Sequence, residues 1–263
     1  MTRPAIQVSA ESNGLPITTV ILSDFALSPM RLDPNVCALW LMSMTFLEQY
    51  ENELQATLSP EEVQRCERFR QPVDRRRFTL SHGALRRILG CTLESDPAGL
   101  QFFTGAAGKP SLVDHPLQFN LSHTSNWVAI ACAAQGSVGV DIEEGDRRIN
   151  ALDIATHSFH PNEAARLTTT PAENQLPLFL HWWTAKEALL KAWGKSIFEG
   201  IATLDFSSWD SQPMAKLTDD SETQWNAHRF NQNHLHGTLV TGADVQSVTL
   251  RLGLAGRPPT SHQ

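Results

Sequence analysis

The sequence has 263 residues, 41% of them hydrophobic, and a formal net charge of −7 at neutral pH. A chain of this length can bury one large core or two modest ones, and its acidic excess argues against general nucleic-acid binding, which depends on a positive field. The longest apolar run, residues 127–134, is far too short to span a bilayer. The four cysteines lack the paired spacing of a zinc ribbon or a disulfide framework. We therefore expect a cytoplasmic protein that binds neither nucleic acid nor membrane.

The first half of the chain predicts a mixture of helices and strands. Residues 1–16 are polar and without sustained periodicity, which indicates a flexible lead-in. Ser59 and Pro60 mark a helix start, because serine caps free N–H groups and proline fits the first helical position, and Gly90 predicts a helix end. The predicted elements are strands at 17–22 and 36–42, helices at 46–58, from Ser59 and at 74–89, and strands at 117–121 and 127–132.

The second half repeats a similar order of elements. It predicts a strand carrying Asp141, helices at 161–167 and 176–193, and strands near Thr203, at 236–240 and at 245–252. We place the division near Ser137, which gives an N-terminal subdomain at 17–137 and a C-terminal subdomain at 138–263.

Arginines are concentrated in one segment of this acidic chain. Residues 65–87 contain eight arginines against two acids, Glu67 and Asp74, a local excess of six positive charges. Arginine suits phosphate groups, and a positive field can steer an acidic partner. For most of these arginines taken singly, a solvated helix face is the ordinary explanation.

Residues 139–143 read Gly-Val-Asp-Ile-Glu. Val140 and Ile142 alternate with Asp141 and Glu143, so the period of a strand places both carboxylates on one face and the apolar side chains against a core. Two carboxylates on one face can bind a hard cation.

Residues 183–191 read Trp-Thr-Ala-Lys-Glu-Ala-Leu-Leu-Lys and predict an amphipathic helix. Glu187 and Lys191 are four residues apart and therefore neighbours on one helix face. With the two strand carboxylates, Glu187 completes an oxygen ligand set that favours Mg²⁺ or Mn²⁺ over zinc and implies a phosphate-bearing substrate. Taken singly, each motif also has an ordinary structural explanation.

Two further motifs precede these, Gly108-Lys109-Pro110 and the run Phe-Asn-Leu-Ser-His at 119–123. Four ordered motifs are far less expected by chance than one. Through them, residues from about 58 to 201 resemble the larger, surfactin-synthetase-activating class of 4′-phosphopantetheinyl transferases. The chain departs from that pattern at Gly194-Lys195-Ser196-Ile197, where the family usually has Gly-x-Gly-Leu.

The resemblance implies a fold and an activity. The implied fold is α+β, with two similar α/β subdomains related by a pseudo-two-fold axis and the active site in the cleft between them. The implied reaction moves the 4′-phosphopantetheine arm of coenzyme A onto a serine of an apo acyl- or peptidyl-carrier protein and leaves adenosine 3′,5′-bisphosphate. The class is expected to act as a monomer.

The resemblance and the residue chemistry together assign roles. The predicted metal ligands are Asp141, Glu143 and Glu187, holding Mg²⁺, with Mn²⁺ left open. Glu187 is the first candidate for the catalytic base, with Glu143 or a metal-bound water as alternatives, because a carboxylate on a metal is a weak base. The catalytic cations are predicted to be Lys191 and Lys186. The residues predicted to bind coenzyme A are Arg65, Arg77, Lys109, Pro110, Ser122, His123, Asp141 and Lys191.

Two alternative functions stay open at this point. The carboxylates and lysines alone also permit a Mg²⁺-dependent phosphohydrolase acting on a nucleotide-like substrate. The arginine segment permits a non-enzymatic module that binds RNA or a protein partner, although RNA recognition usually adds stacking aromatics.

Overall fold

The computed structural model describes residues 6–11, 14–25, 30–105, 108–196 and 200–254. Its strands are β1 (Gln7–Glu11), β2 (Ile17–Ile21), β3 (Val36–Ser43), β4 (Phe102–Thr104), β5 (Pro110–Leu112), β6 (Gln118–His123), β7 (Trp127–Ala133), β8 (Val138–Glu144), β9 (Met214–Thr218), β10 (Gln224–Gln232), β11 (Leu235–Gly242) and β12 (Ser247–Gly253). Its α-helices are α1 (Met44–Leu47), α2 (Glu51–Gln55), α3 (Pro60–Glu67), α4 (Pro72–Leu93), α5 (Ala151–Ser158), α6 (Pro161–Thr169) and α7 (Ala172–Trp193).

The described strands form two five-stranded sheets and a small two-stranded ribbon. The N-terminal sheet has the order β2-β12-β3-β7-β6, in which β12 runs parallel to both of its neighbours. The C-terminal sheet has the order β1-β9-β10-β11-β8 and is antiparallel throughout. Strands β4 and β5 form the ribbon.

Each sheet carries one long helix, and the two sheets pack against each other. Trp40 and Met42 of β3 face the core beneath α4, whereas Leu39 and Leu41 face a second core shared with β8. The alternation follows from the period of two along a strand. A third core joins α7 to the C-terminal sheet. The predicted arrangement of two α/β halves is confirmed.

The first and last described strands each pair with strands of the other half. Strand β1 pairs with β9 in the C-terminal sheet, and β12 pairs with β2 and β3 in the N-terminal sheet. A cut at Ser137 therefore does not separate the two sheets. The expectation of a flexible lead-in at 1–16 is wrong for residues 7–11, which form an edge strand, while residues 1–5, 12 and 13 lie outside the described part of the chain.

Several predicted elements agree with the structure. Strands β2 and β3 lie within a residue of their predicted bounds. Helix α3 begins after Ser59, whose side chain accepts from the Glu62 N–H while Glu62 caps the Ser59 N–H in return.

Other predicted boundaries were wrong. The predicted helix 46–58 is broken into two short helices joined by a 3₁₀ turn. Gly90 lies inside α4 and does not end it, since the helix continues to Leu93 and its C-cap residue, Glu94, takes a left-handed conformation with φ of 51°. A Cβ at Gly90 would lie 2.6 Å from Pro97 Cγ, so this glycine serves close packing.

In the second half, the strand predicted near Thr203 is a short 3₁₀ turn, Ile201–Thr203. Helix α5 and strands β9 and β10 had no predicted counterpart. Within the described parts of the chain, no helix combines the length and the apolar character needed to cross a membrane.

Candidate active site between the two halves

Strand β6 of the N-terminal half lies beside β8 of the C-terminal half, and polar side chains join them. Asn120 Oδ1 accepts a 2.8 Å hydrogen bond from the Val140 N–H. Ser122 Oγ donates to Asp141 Oδ1 at 2.9 Å. The motif at 119–123 therefore fixes the position of the acidic strand across the cleft.

Helix α7 packs directly on β8 because Gly139 has no side chain. A Cβ at this position would lie 2.0 Å from the Ala188 carbonyl oxygen and 2.6 Å from the Ala192 nitrogen. These distances are too short for any other residue type. The glycine thus brings the functional face of α7 close to Asp141.

Asp141 lies at the centre of the site and is almost completely buried. Its Oδ1 accepts from Ser122 and forms an ion pair with Lys191 Nζ at 2.6 Å. Its Oδ2 is buried and has no hydrogen-bond partner among the described residues. An unpartnered buried carboxylate oxygen is costly and marks a place for a ligand that donates or coordinates.

Lys191 and Glu187 of α7 face Asp141. Lys191 Nζ also lies 3.4 Å from both Ser122 Oγ and the Val140 carbonyl oxygen, and 3.9 Å from Glu187 Oε2. Burial alone would lower the pKa of Lys191, but the charges of Asp141 and Glu187 leave it raised. Lys191 is therefore a fixed cation among carboxylates.

The pKa of Glu187 is raised to about 7, first by burial and then by the Asp141 charge. Burial and then Asp141 also raise the pKa of Glu143, against the opposing effect of Arg147, with which Glu143 forms an ion pair. Mutual repulsion of this kind shows that the three carboxylates share one electrostatic environment.

The described residues contain no group of three or more His, Cys, Asp or Glu side chains already arranged to hold a metal ion. The donors nevertheless fit a hard divalent cation on two observations. Asp141 Oδ2 is free of partners among the described residues, and burial and then the Asp141 charge raise the pKa values of Glu143 and Glu187, so a cation beside them would neutralise part of that charge. All three are oxygen donors, which suits Mg²⁺ or Mn²⁺.

Lys186 lies apart from these carboxylates, in surroundings that do not fit its predicted catalytic role. Its side chain is completely buried, and Nζ lies 2.5 Å from Glu163 Oε2. Nζ also donates to the carbonyl oxygens of Ile201 and Leu204, at 2.8 and 2.6 Å. Adjacent residues of a helix project about 100° apart, so Lys186 points into the C-terminal core and Glu187 into the cleft.

His123 and Arg77 line a cavity of about 350 Å³ together with Glu143 and Arg147. The pKa of His123 is lowered, first by burial and then by the Arg77 charge, so the ring is neutral near pH 7. The Arg77 Nε is buried without a hydrogen-bond partner among the described residues. Two arginines and two glutamates thus line one cavity next to the acidic strand.

The remaining predicted coenzyme A ligands lie nearby but not together. Arg65 and Pro110 line a separate cavity of about 380 Å³ that also contains Asn120, and Arg65 lies over the Phe78 ring. Lys109 Nζ donates to the Val138 carbonyl oxygen at 3.0 Å. Burial lowers the pKa of Lys109 to about 8.

Several residues of the site were not assigned from the sequence. Asn120 lay within a recognised motif but received no role. Glu144 adjoins Glu143 and contacts Thr124 and Asn126 across the cleft. The spacing of these residues along the sequence does not predict that they contact each other, so these contacts become visible only in the folded structure.

Comparison with known families places this geometry in context. The family described as "4′-phosphopantetheinyl transferase superfamily" matches residues 137–243. The family described as "4′-phosphopantetheinyl transferase, N-terminal" matches residues 46–135. The two matches correspond to the two halves of the fold and meet near the strand that carries Asp141.

Individual relatives agree with the family match. The slr0495 protein of Synechocystis sp. is 40% identical over 150 residues, which cover 56% of this chain and 61% of that protein. The 4′-phosphopantetheinyl transferase HetI of Nostoc sp. is 37% identical over 64% of this chain and 70% of HetI. The 4′-phosphopantetheinyl transferase Sfp of Bacillus subtilis is 33% identical over 57% of this chain and 67% of Sfp. The chain belongs to the 4′-phosphopantetheinyl transferase family and is an enzyme of the Sfp-like type.

Proposed function

We propose that this enzyme transfers the 4′-phosphopantetheine arm of coenzyme A to a serine hydroxyl of an apo acyl- or peptidyl-carrier protein. The observation that carries the proposal is the part-buried contact of Lys191 Nζ with Asp141 Oδ1, which joins α7 to β8 at the cleft. Phosphoryl transfer mainly requires positioning and charge neutralisation, and this arrangement supplies both.

Asp141, Glu143 and Glu187 would hold a divalent cation, Mg²⁺ or Mn²⁺, supported by their oxygen donors and by Asp141 Oδ2, which has no partner among the described residues. When bound, such a cation neutralises negative charge on the pyrophosphate oxygens. Lys191 adds a fixed positive charge within hydrogen-bond distance of Asp141.

Coenzyme A binding is assigned to residues on both sides of the cleft. Arg77 and His123 line the cavity beside Glu143 and would contact the phosphate of the adenosine end. Neutral His123 would bind by hydrogen bonding rather than by transferring a proton. Arg65, Lys109 and Pro110 would contact the adenosine portion, and Ser122 keeps Asp141 in place.

The proposed reaction is a substitution at phosphorus. The serine oxygen forms a bond to the phosphorus next to the pantetheine arm, and the bond from that phosphorus to the bridging oxygen breaks. Adenosine 3′,5′-bisphosphate leaves with the bridging oxygen, and a carboxylate takes the serine proton. Glu187 Oε2 is the first candidate for that proton because it faces the cleft, and Glu143 is the second. The enzyme is proposed to act as a monomer, since the site is built from the two halves of one chain.

The test is mass spectrometry of an apo carrier protein incubated with the enzyme, coenzyme A and Mg²⁺. We expect the mass of one phosphopantetheine arm to appear on the carrier serine. Release of bisphosphate without carrier modification would instead indicate a phosphohydrolase. Binding of RNA that is insensitive to Asp141→Asn would indicate a non-enzymatic role.

A further inference from the structure

Three side chains on or just after β6 reach across to β8 at regular intervals. Asn120 accepts from the Val140 N–H, and Ser122 donates to Asp141. The third is Thr124, whose hydroxyl donates to Glu144 Oε1. Every second residue along this segment therefore joins the two halves, as the period of a strand allows.

Glu144 makes more contacts across the cleft than the hydroxyl bond alone. Its Oε1 accepts from the Asn126 backbone N–H at 2.9 Å, and its Oε2 accepts from Asn126 Nδ2 at 3.1 Å. One carboxylate thus accepts three hydrogen bonds from a single turn. Hydrogen bonds to an ionised acceptor are roughly twice as strong as neutral ones.

The turn held by Glu144 is itself firmly attached to the N-terminal half. Thr124 Oγ1 accepts from the Asn126 and Trp127 N–H groups, at 3.2 and 3.1 Å. The Asn126 carbonyl oxygen accepts from the Met44 N–H at 2.8 Å. The turn of residues 124–126 is therefore anchored in the N-terminal half, and Glu144 joins it to β8 of the C-terminal half.

The link lies at the wall of the proposed coenzyme A cavity. Thr124 and Glu144 line the cavity of about 350 Å³ that also contains Arg77, His123 and Glu143. His123 immediately precedes the turn, and Glu143 immediately precedes Glu144. We propose that Glu144 is a positioning residue of the transferase: by holding the turn of residues 124–126, it fixes the spacing between His123 and Glu143 across the cavity.

This inference rests on the proposed function and predicts a particular kinetic effect. Without the three hydrogen bonds, the turn that follows His123 loses its attachment to Glu144, while Asn120 and Ser122 still join β6 to β8, and coenzyme A must order the turn on binding. Glu144→Ala should raise KM for coenzyme A roughly tenfold, the effect of losing charge-assisted hydrogen bonds. Turnover at saturating coenzyme A should change much less, because the bound substrate restores the spacing.

An exchange of donor and acceptor tests the contact itself. Glu144→Gln removes the charge of the acceptor, and its N–H₂ meets the N–H₂ of Asn126 unless the Asn126 amide turns over, so the contact is weakened. Asn126→Asp places two carboxylates together, which repel each other. In the double variant Glu144→Gln/Asn126→Asp, the amide introduced on β8 can donate to the carboxylate introduced in the turn, and the pairing is restored with reversed roles. We expect raised KM in each single variant and a value near wild type in the double variant.

The measurements are KM and turnover with an apo carrier protein, the melting temperature, and calorimetric binding of adenosine 3′,5′-bisphosphate. Asp146→Asn, an exposed change in the turn that follows β8, is the matched control. Unchanged KM and bisphosphate affinity in Glu144→Ala would overturn the inference even if the melting temperature falls. So would a double variant no better than the single ones. Failure of wild type to modify any carrier would refute the proposed function, whereas the bisphosphate affinities would still report on Glu144.

Discussion

Lys186 and Glu187 are adjacent in α7 but lie in opposite environments. Lys186 is fully buried in an ion pair with Glu163, whereas Glu187 lies 3.9 Å from Lys191 in the cleft. Glu163 Oε1 also accepts from the Phe206 N–H at 2.8 Å, and Oε2 accepts from the His160 N–H at 3.1 Å. The motif's first lysine therefore holds the C-terminal half together, and its second, Lys191, lies between Asp141 and Glu187 in the candidate site.

Lys186→Met should destabilise the protein strongly. It leaves the Glu163 carboxylate buried without its cation, and breaking a buried pair from one side typically costs about 3–5 kcal/mol. Lys186→Met/Glu163→Gln should recover part of the loss, because glutamine carries no charge and keeps one acceptor oxygen, while one of the two backbone N–H groups then meets its N–H₂. Denaturant unfolding measures the free energy of unfolding of the single and the double variant. Turnover per folded molecule of Lys186→Met should stay near wild type. A large loss of turnover in folded Lys186→Met would restore a catalytic role for this lysine.

Asp141→Asn should abolish most of the transferase activity. Loss of one charged active-site contact commonly lowers the rate roughly 100- to 1000-fold. An exposed carboxylate would contribute little to stability, but Asp141 is buried, so its replacement also affects folding. Loss of the Lys191 ion pair is offset by relief of repulsion with Glu143 and Glu187, and we expect a net change within about 2 kcal/mol.

Carrier modification followed by mass spectrometry measures this effect, and the melting temperature reports on the fold. Asp146→Asn again serves as the control, since its side chain is exposed. Wild-type activity in Asp141→Asn would remove Asp141 from the site.

Stability should fall as the pH drops below neutral, because two histidines are buried in the uncharged form. Burial lowers the pKa of His181 to about 3 and that of His228 to about 4. The unfolded chain binds these protons near pH 6.5 and the folded chain does not. The stability that these neutral histidines contribute is therefore fully present above pH 6.5. It is lost as the pH falls toward the folded pKa values, at about 1.4 kcal/mol per pH unit for each histidine.

The unfolding free energy of His181→Gln, measured between pH 7.5 and pH 5, should fall less steeply than that of wild type. Between pH 7.5 and pH 5, the unfolding free energy of the variant should fall by about 2 kcal/mol less than that of wild type. Glutamine can still donate to the Trp209 carbonyl oxygen, which now accepts from His181 Nε2 at 3.2 Å. His157→Gln, the same change at an exposed position, is the matched control. Equal slopes in wild type and His181→Gln would contradict the assignment.

The parts of the site that are encoded locally could be predicted from the sequence. Asp141 and Glu143 follow from the period of a strand, and Glu187 and Lys191 from the period of a helix. The direction of Lys186 was missed, because its partner Glu163 is distant in sequence. The pairing of β1 and β12 with the opposite halves was missed for the same reason. Their partner strands are distant in sequence, and local spacing does not indicate which strands will pair.

Gly139→Ala should disturb the site through the backbone rather than through charge. The added Cβ would lie 2.0 Å from the Ala188 carbonyl oxygen, so α7 must move away from β8. Overpacking typically costs about 1–3 kcal/mol, and here the displaced helix carries Glu187 and Lys191. We expect a lower melting temperature together with lower turnover in the molecules that remain folded.

The control for Gly139→Ala is Gly105→Ala. A Cβ at Gly105 would lie 3.6 Å from the Lys109 carbonyl oxygen, which is an ordinary van der Waals distance. It should change stability far less than Gly139→Ala does. A Gly139→Ala variant with wild-type stability and turnover would show that α7 and β8 are further apart than the structure places them. The ion pair between Lys191 and Asp141 would then not be held by this close backbone contact.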